Sequence, residues 1–377
     1  MSVNKVTSPT MRTIAAFVKG NVPAVVWGEP GQAKSAKIEA AGRKSGYWTN
    51  TIIGSIRESS DYLGLPMETD GGVTYAPPAW ARQANEADKA LLIFDELTTT
   101  APSTMKAMLR VLQERFAGDL PLADGVRMLA IANPPETAVD GWDLPAPIAN
   151  RLGHIEWRFD ADEWLTHVTT GFAHTDTTSF DDMVQAGTMV DKARAGGWVT
   201  GFLRHRPDLL APEVPTDPTI AGRAWPSPRA WTNVISVLSE VPADDEEVAA
   251  LVVKGLVGEG AAKEFFAWLA VSDLADPEAV LADPHCVNWR IERPDRVFAM
   301  LASVEALTRF RGDARTWEKA IEVVAVVAEC GKPDVAIPAA RTLLTSARPK
   351  GSKLDVARIR EQFSDLMART ERGFAAA

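Results

Sequence analysis

Along roughly the first 160 residues, short apolar runs of strand length alternate with longer stretches whose apolar residues recur at helical spacing. Five runs predict strands: Ala24–Trp27, Trp48–Ile53, Ala90–Asp95, Arg127–Ala132 and His154–Phe159. The third and fourth are continuously apolar, the pattern of strands buried on both faces of a sheet. Between the strands, helices are predicted over Lys34–Lys44 and Ala101–Arg115, the second opened by Ala-Pro-Ser and carrying Met105, Met108, Leu109 and Leu112 on one face. This alternation predicts a parallel sheet covered by helices. Beyond about Asp160 the strand signals fade and helical spacing takes over, broken by proline-containing stretches at Arg206–Pro228 and Asp283–Asp295. In the last stretch, helices are predicted over Val297–Arg309, Thr316–Cys330, Ile337–Ser346 and Leu354–Thr370.

Composition adds limits. A chain of 377 residues is long enough for two or three packed units, and 46% hydrophobic with 24% charged residues is the balance of a globular protein. The net charge of −10 argues against a dominant nucleic-acid partner. Two cysteines, Cys286 and Cys330, are too few for a disulfide framework and lack metal-ligand spacing. No apolar stretch approaches the ~18 residues of a membrane span, and no signal-type segment opens the chain, so a cytoplasmic location without membrane association is expected.

The chemistry concentrates at the ends of the predicted strands. Directly after Ala24–Trp27 comes Gly28-Glu29-Pro30-Gly31-Gln32-Ala33-Lys34-Ser35, followed by a helix. A strand, a glycine-rich loop and a helix aim successive backbone N–H groups and a helix N-terminus at phosphates. Lys34 would reach the β- and γ-phosphates, and the Ser35 hydroxyl would ligate Mg²⁺. Ala33 stands where a glycine is usual, and its methyl is tolerated if the residue adopts negative φ.

The run Leu91-Leu-Ile-Phe-Asp-Glu96 ends a buried strand in two carboxylates, which calls for a cation at that edge. Asp95 would hold Mg²⁺, and Glu96 would orient or deprotonate a water. Met128–Ala132 likewise runs into Asn133, an amide able to reach a γ-phosphate or a lytic water, although Asn before Pro also starts turns. Arg151 follows a short predicted helix, and Arg229 follows Ser227 and Pro228 at a helix start. An arginine at either place is often structural.

In this order the series resembles the AAA+ ATPases, and within them the MoxR group, over roughly residues 10–270. Arg57–Gly64 with Gly71–Trp80 is similar to that group's insert in the second helix, and Gln113–Arg115 through Asp124–Arg127 looks like its hairpin before the fourth strand. The resemblance implies an α/β P-loop AAA+ core with a five-stranded parallel sheet at 1–160, carrying inserts near 55–80 and 115–127. An all-α lid at 161–282 and an additional C-terminal helical region at 283–377 would follow. It assigns Asn133 as sensor 1, Arg151 as an arginine finger acting on a neighbouring subunit's ATP, and Arg229 as sensor 2 on the lid. It further implies a homo-oligomeric, hexameric ring that hydrolyses ATP with Mg²⁺ and remodels a protein client or a von Willebrand A domain partner. A nucleotide-gated scaffold with little turnover, and a nucleic-acid-remodelling motor, stay open as alternatives. Leu152 departs from the group's pattern, where an aromatic often follows the arginine.

Overall fold

Buried apolar runs form the inner strands of the central sheet, and the side chains of Ser8, Asp191, Ser227 and Asp313 cap helix N-termini. The computed structural model describes residues 7–134, 141–169, 178–184, 189–270, 274–345, 349–352, 354 and 359. The first part of the chain runs α1 (Pro9–Lys19), β1 (Ala24–Trp27), α2 (Lys34–Lys44), β2 (Trp48–Ile53), β3 (Leu65–Thr69), β4 (Gly72–Ala76) and α3 (Ala79–Glu86). It continues with β5 (Ala90–Asp95), α4 (Pro102–Glu114), β6 (Phe116–Ala117), β7 (Leu120–Pro121), β8 (Val126–Ala132) and β9 (Gly153–Glu156). Helices of eight or more residues follow: α5 (Ala161–Thr169), α6 (Lys192–His205), α7 (Pro228–Leu238), α8 (Glu246–Ala270, broken at Gly258, whose φ is 82°), α9 (Pro294–Arg311), α10 (Ala314–Glu329) and α11 (Pro333–Thr345). The helix expected over 354–370 lies almost wholly outside the described residues.

Five strands form one parallel sheet in the order β2-β5-β8-β1-β9. The expected architecture is therefore present: a five-stranded parallel sheet with flanking helices, then helices. The last strand is shorter than the run His154–Phe159, because β1 ends at Trp27 opposite Glu156 and offers nothing further to pair with. Trp157 N donates the final bond, to Trp27 O at 2.6 Å. α4 buries Met105, Met108, Leu109 and Leu112 in the same cluster as Leu92, Phe94 and Ala130 of the sheet. Each such side chain contributes roughly 1.5–3 kcal/mol by leaving water.

Two antiparallel hairpins stand outside the sheet, β3 with β4 and β6 with β7, within the stretches 55–80 and 115–127. β3 is exposed along its whole length, Leu65 and Met67 included.

The chain divides into two compact units, residues 1–189 with 212–262, and residues 190–211 with 263–377. These boundaries fall elsewhere than the three-part division read from the sequence, because α6 belongs with the C-terminal helices. Within the second unit α6 lies against α9 at glycine-sized distance: a Cβ on Gly197 would sit 1.7 Å from Ser303 Oγ, and one on Gly201 2.4 Å from Ala299 Cβ. Trp289, Val297, Val304, Trp317 and Val324 fill that unit's core. No helix among the described residues is long and apolar enough to cross a membrane.

Candidate functional site

β1 lies inside the sheet with all four residues buried, so the segment that leaves its carboxyl end is held at a fixed place. Gly28 N donates to Ala132 O at 3.1 Å, tying the start of the loop to the end of β8. Only glycine fits there, since a Cβ would lie 2.7 Å from Trp157 Cβ. Gly31 has φ +79°, a left-handed conformation that glycine adopts without cost. Glu29 and Gln32 are half-buried, and Pro30 is exposed.

Ala33 differs from expectation. Its φ of 57° and ψ of 25° are left-handed, not negative in φ, at the position that caps α2. Its Cβ then crowds the following carbonyl, which costs roughly 1–2 kcal/mol that glycine would not incur.

Lys34 opens α2 and is only 6% exposed. Its Nζ donates to Gly28 O at 2.6 Å, Glu29 O at 2.7 Å and Asn133 Oδ1 at 3.4 Å. Burial pulls its pKa below the ordinary lysine value, while Asp95 and Glu29 draw it back up. A cation held against carbonyls in this way is ready to exchange them for phosphate oxygens.

Ser35 Oγ donates to Asp95 Oδ2, and Asp95 Oδ1 accepts from Glu96 N at 2.8 Å. The two residues expected to bind Mg²⁺ thus meet, although one lies on α2 and the other at the end of β5. A hydroxyl and a carboxylate are hard oxygen donors and suit Mg²⁺, which keeps most of its remaining positions for water and phosphate.

Glu96 has φ 60° and ψ 40°, strained for a residue with a side chain. Its carbonyl accepts from Thr99 Oγ1 at 3.3 Å and Thr100 Oγ1 at 2.7 Å, and these bonds hold the turn. Its carboxylate accepts from Ser55 Oγ, just beyond β2. Gly54 allows that approach, since a Cβ there would stand 2.1 Å from Thr100 Oγ1. Asn133 links the two halves: beyond its contact with Lys34, its carbonyl accepts from Thr98 Oγ1 at 3.0 Å. The strand order explains this, because β8 lies between β1 and β5.

The two arginines are elsewhere. Arg151 precedes β9, whose first residue pairs with the first residue of β1, so it lies at the opposite strand ends from the loop. It is half-buried, with Nη1 donating to Gln113 Oε1 at the end of α4. Arg229, in the first turn of α7, is exposed and has no partner among the described residues.

The sequence gives no signal for Ser55, Gly54 or an arginine that packs on Trp27, the residue leading into the loop. Arg223 places its guanidinium 3.9 Å from the centroid of the Trp27 ring, with Nη1 3.4 Å from Glu156 Oε1. Trp27 immediately precedes Gly28. A cavity of about 370 Å³ opens here, lined by Thr10, Thr13, His154, Glu156, Arg223 and Lys254 among others. Beneath it, Trp27 Nε1 donates to His154 Nδ1 at 3.0 Å, and His154 Nε2 bonds Ala149 O at 3.0 Å. Desolvation, opposed by the bond to Ala149 and aided by nearby Arg223, brings the His154 pKa down to about 4. The signal for Arg223 is absent from local sequence, since nothing marks it apart from other arginines.

No protein-family profile matches the sequence, and no curated protein matches it. Among solved structures, the chain is similar to a candidate ATPase from Cytophaga hutchinsonii at 15% identity and a TM-score of 0.43, over 66% of this chain and 80% of that one.

Proposed function

We propose that the chain is a Mg²⁺-dependent ATPase of the AAA+ kind, similar to the MoxR group, that works as a ring of like subunits and remodels protein partners. One observation carries the reading: Lys34, Ser35, Asp95 and Asn133 converge at the carboxyl ends of β1, β5 and β8 through direct contacts. Backbone N–H groups of Gly28–Ala33 and the start of α2 would receive the phosphates, with Lys34 transferring its bonds from the loop carbonyls to the β- and γ-oxygens. Ser35 and Asp95 would hold Mg²⁺, which supplies charge neutralisation on the phosphate oxygens. Glu96 would orient or deprotonate the attacking water, and Asn133 would hydrogen-bond that water or the γ-phosphate. The base would occupy the cavity lined by His154, Glu156 and Arg223, whose guanidinium lies over the ring of Trp27, the residue that leads into the loop.

Arg151 faces away from its own chain's loop, so its action would be on ATP bound by a second copy. An arginine supplied in trans is worth on the order of 10³ or more in rate, which makes the assembly the working unit. Arg229 would follow nucleotide from α7. The client, or a von Willebrand A domain partner, rests on the sequence resemblance alone.

Purified chain at micromolar concentration is expected to turn over Mg-ATP. Glu96→Gln should lower the rate by about 10²-fold or more while still binding nucleotide, and Lys34→Ala should lose binding. Turnover no faster than that of Glu96→Gln would sink the hydrolase reading. In that event the strained Ala33 and the Ser55 bond to Glu96 favour a scaffold that binds nucleotide with little turnover.

A further inference from the structure

Asn150 stands between the two arginines that the loop lacks. Its Oδ1 accepts from Ser227 Oγ at 2.6 Å, and its Nδ2 donates to Trp225 O at 2.8 Å. Ser227 is the N-cap of α7 and also accepts from Ala230 N at 3.1 Å, with Arg229 in the same turn. The carbonyl of Trp225 fixes the amide orientation, because a reversed carboxamide would set oxygen against oxygen. Ser227 is buried, so this clamp is shielded from water. On the other side, Asn150 N donates to Ala146 O at 3.2 Å at the end of the short helix Ala146–Ala149, and the next residue is Arg151. Gln113 holds the far end of the Arg151 side chain. Arg151 is therefore fixed at its head by α4 and at its backbone by α7.

We propose that Asn150 is a positioning residue that ties Arg151 to α7, so that Arg151 is presented to a second copy only while the first turn of α7 is seated. This rests on the reading that Arg151 acts on ATP held by another copy. The clamp gives that reading a regulatory path: whatever moves α7, including nucleotide near Arg229, moves the backbone of Arg151.

The test mixes two variant copies of the full chain. Arg151→Ala copies keep a complete loop and carboxylates but lack the arginine, whereas Glu96→Gln copies cannot turn over and supply it. Their mixture is expected to hydrolyse Mg-ATP well above either alone. Glu96→Gln copies that also carry Asn150→Ala, or separately Ser227→Ala, are expected to restore less by on the order of tenfold to a hundredfold, the cost of misplacing a reacting group. Binding of a fluorescent ATP analogue to these copies should stay close to that of Glu96→Gln, and their melting temperature should fall by no more than the few degrees that a lost cap or hydrogen bond costs, whereas a merely structural loss would weaken binding as well. Where Asn150→Ala does not fold, Asn150→Asp replaces it, keeping the acceptor for Ser227 while turning an oxygen toward Trp225 O. Full restoration by the Asn150 variant, or by Ser227→Ala, would overturn the clamp. Failure of Glu96→Gln alone to restore anything would instead remove the action between copies, and the proposal with it.

Discussion

Two single residues carry conformational or titration costs that experiments can read directly. Ala33 holds a left-handed backbone in the middle of the phosphate loop, where its neighbour Gly31 does so freely. Ala33→Gly is expected to stabilise the fold by about 1 kcal/mol and to raise the melting temperature by a few degrees, since the relieved strain outweighs the added freedom of the unfolded chain. Thermal unfolding of the two forms compares them. His154 works through protons. Its folded pKa of about 4 lies below the unfolded 6.5, so the neutral ring's contribution is present above pH 6.5 and is lost as the pH falls through 6.5 toward 4. The difference amounts to about 3 kcal/mol, and urea unfolding at pH 7 and pH 4 should show it, with His154→Gln flattening the slope.

At the scale of elements, the legible features were those written in consecutive residues. β1, β2, β5 and α2 have the boundaries their apolar runs and flanking signals predict. The loop residues Gly28–Ser35 and the pair Asp95–Glu96 could be recognised because each sits at the end of one strand. What brings them together could not, since Ser55 reaches Glu96 from beyond β2 and Arg223 reaches Trp27 across 196 residues. The φ of Ala33 was also hidden, because alanine ordinarily marks a helical or extended backbone and only the loop's closure forces it over. Packing of α6 on α9 was equally silent. Gly197 has no room for a side chain there, and Gly197→Val should drive a branched residue into Ser303 and the Ala299 carbonyl. Overpacking of this kind costs typically 1–3 kcal/mol or more. Calorimetry is expected to show a lower first transition, with binding of an ATP analogue unchanged because the loop belongs to the other unit.

For the whole molecule, the alternation of strands and helices was enough to foresee a parallel sheet followed by helices, as each strand's pattern already states how much of it is buried. The grouping of helices into units was not foreseeable by the same means. A proline-rich stretch such as Arg206–Pro228 reads as a boundary, yet it does not say which neighbours lie across it, and the chain leaves the first unit at 190 only to return at 212.

That excursion has a consequence for a chain being made. α6 is finished at His205, but the partner it needs is complete only at Arg311. At roughly 5–20 residues per second, α6 waits on the order of 5–20 s as a 14-residue helix of the kind that is marginal alone in water. The first unit is complete in sequence at residue 262, before α9 begins. A ribosome that pauses between those two points therefore holds a nascent chain whose nucleotide loop can already form while its second unit has no partner to fold on.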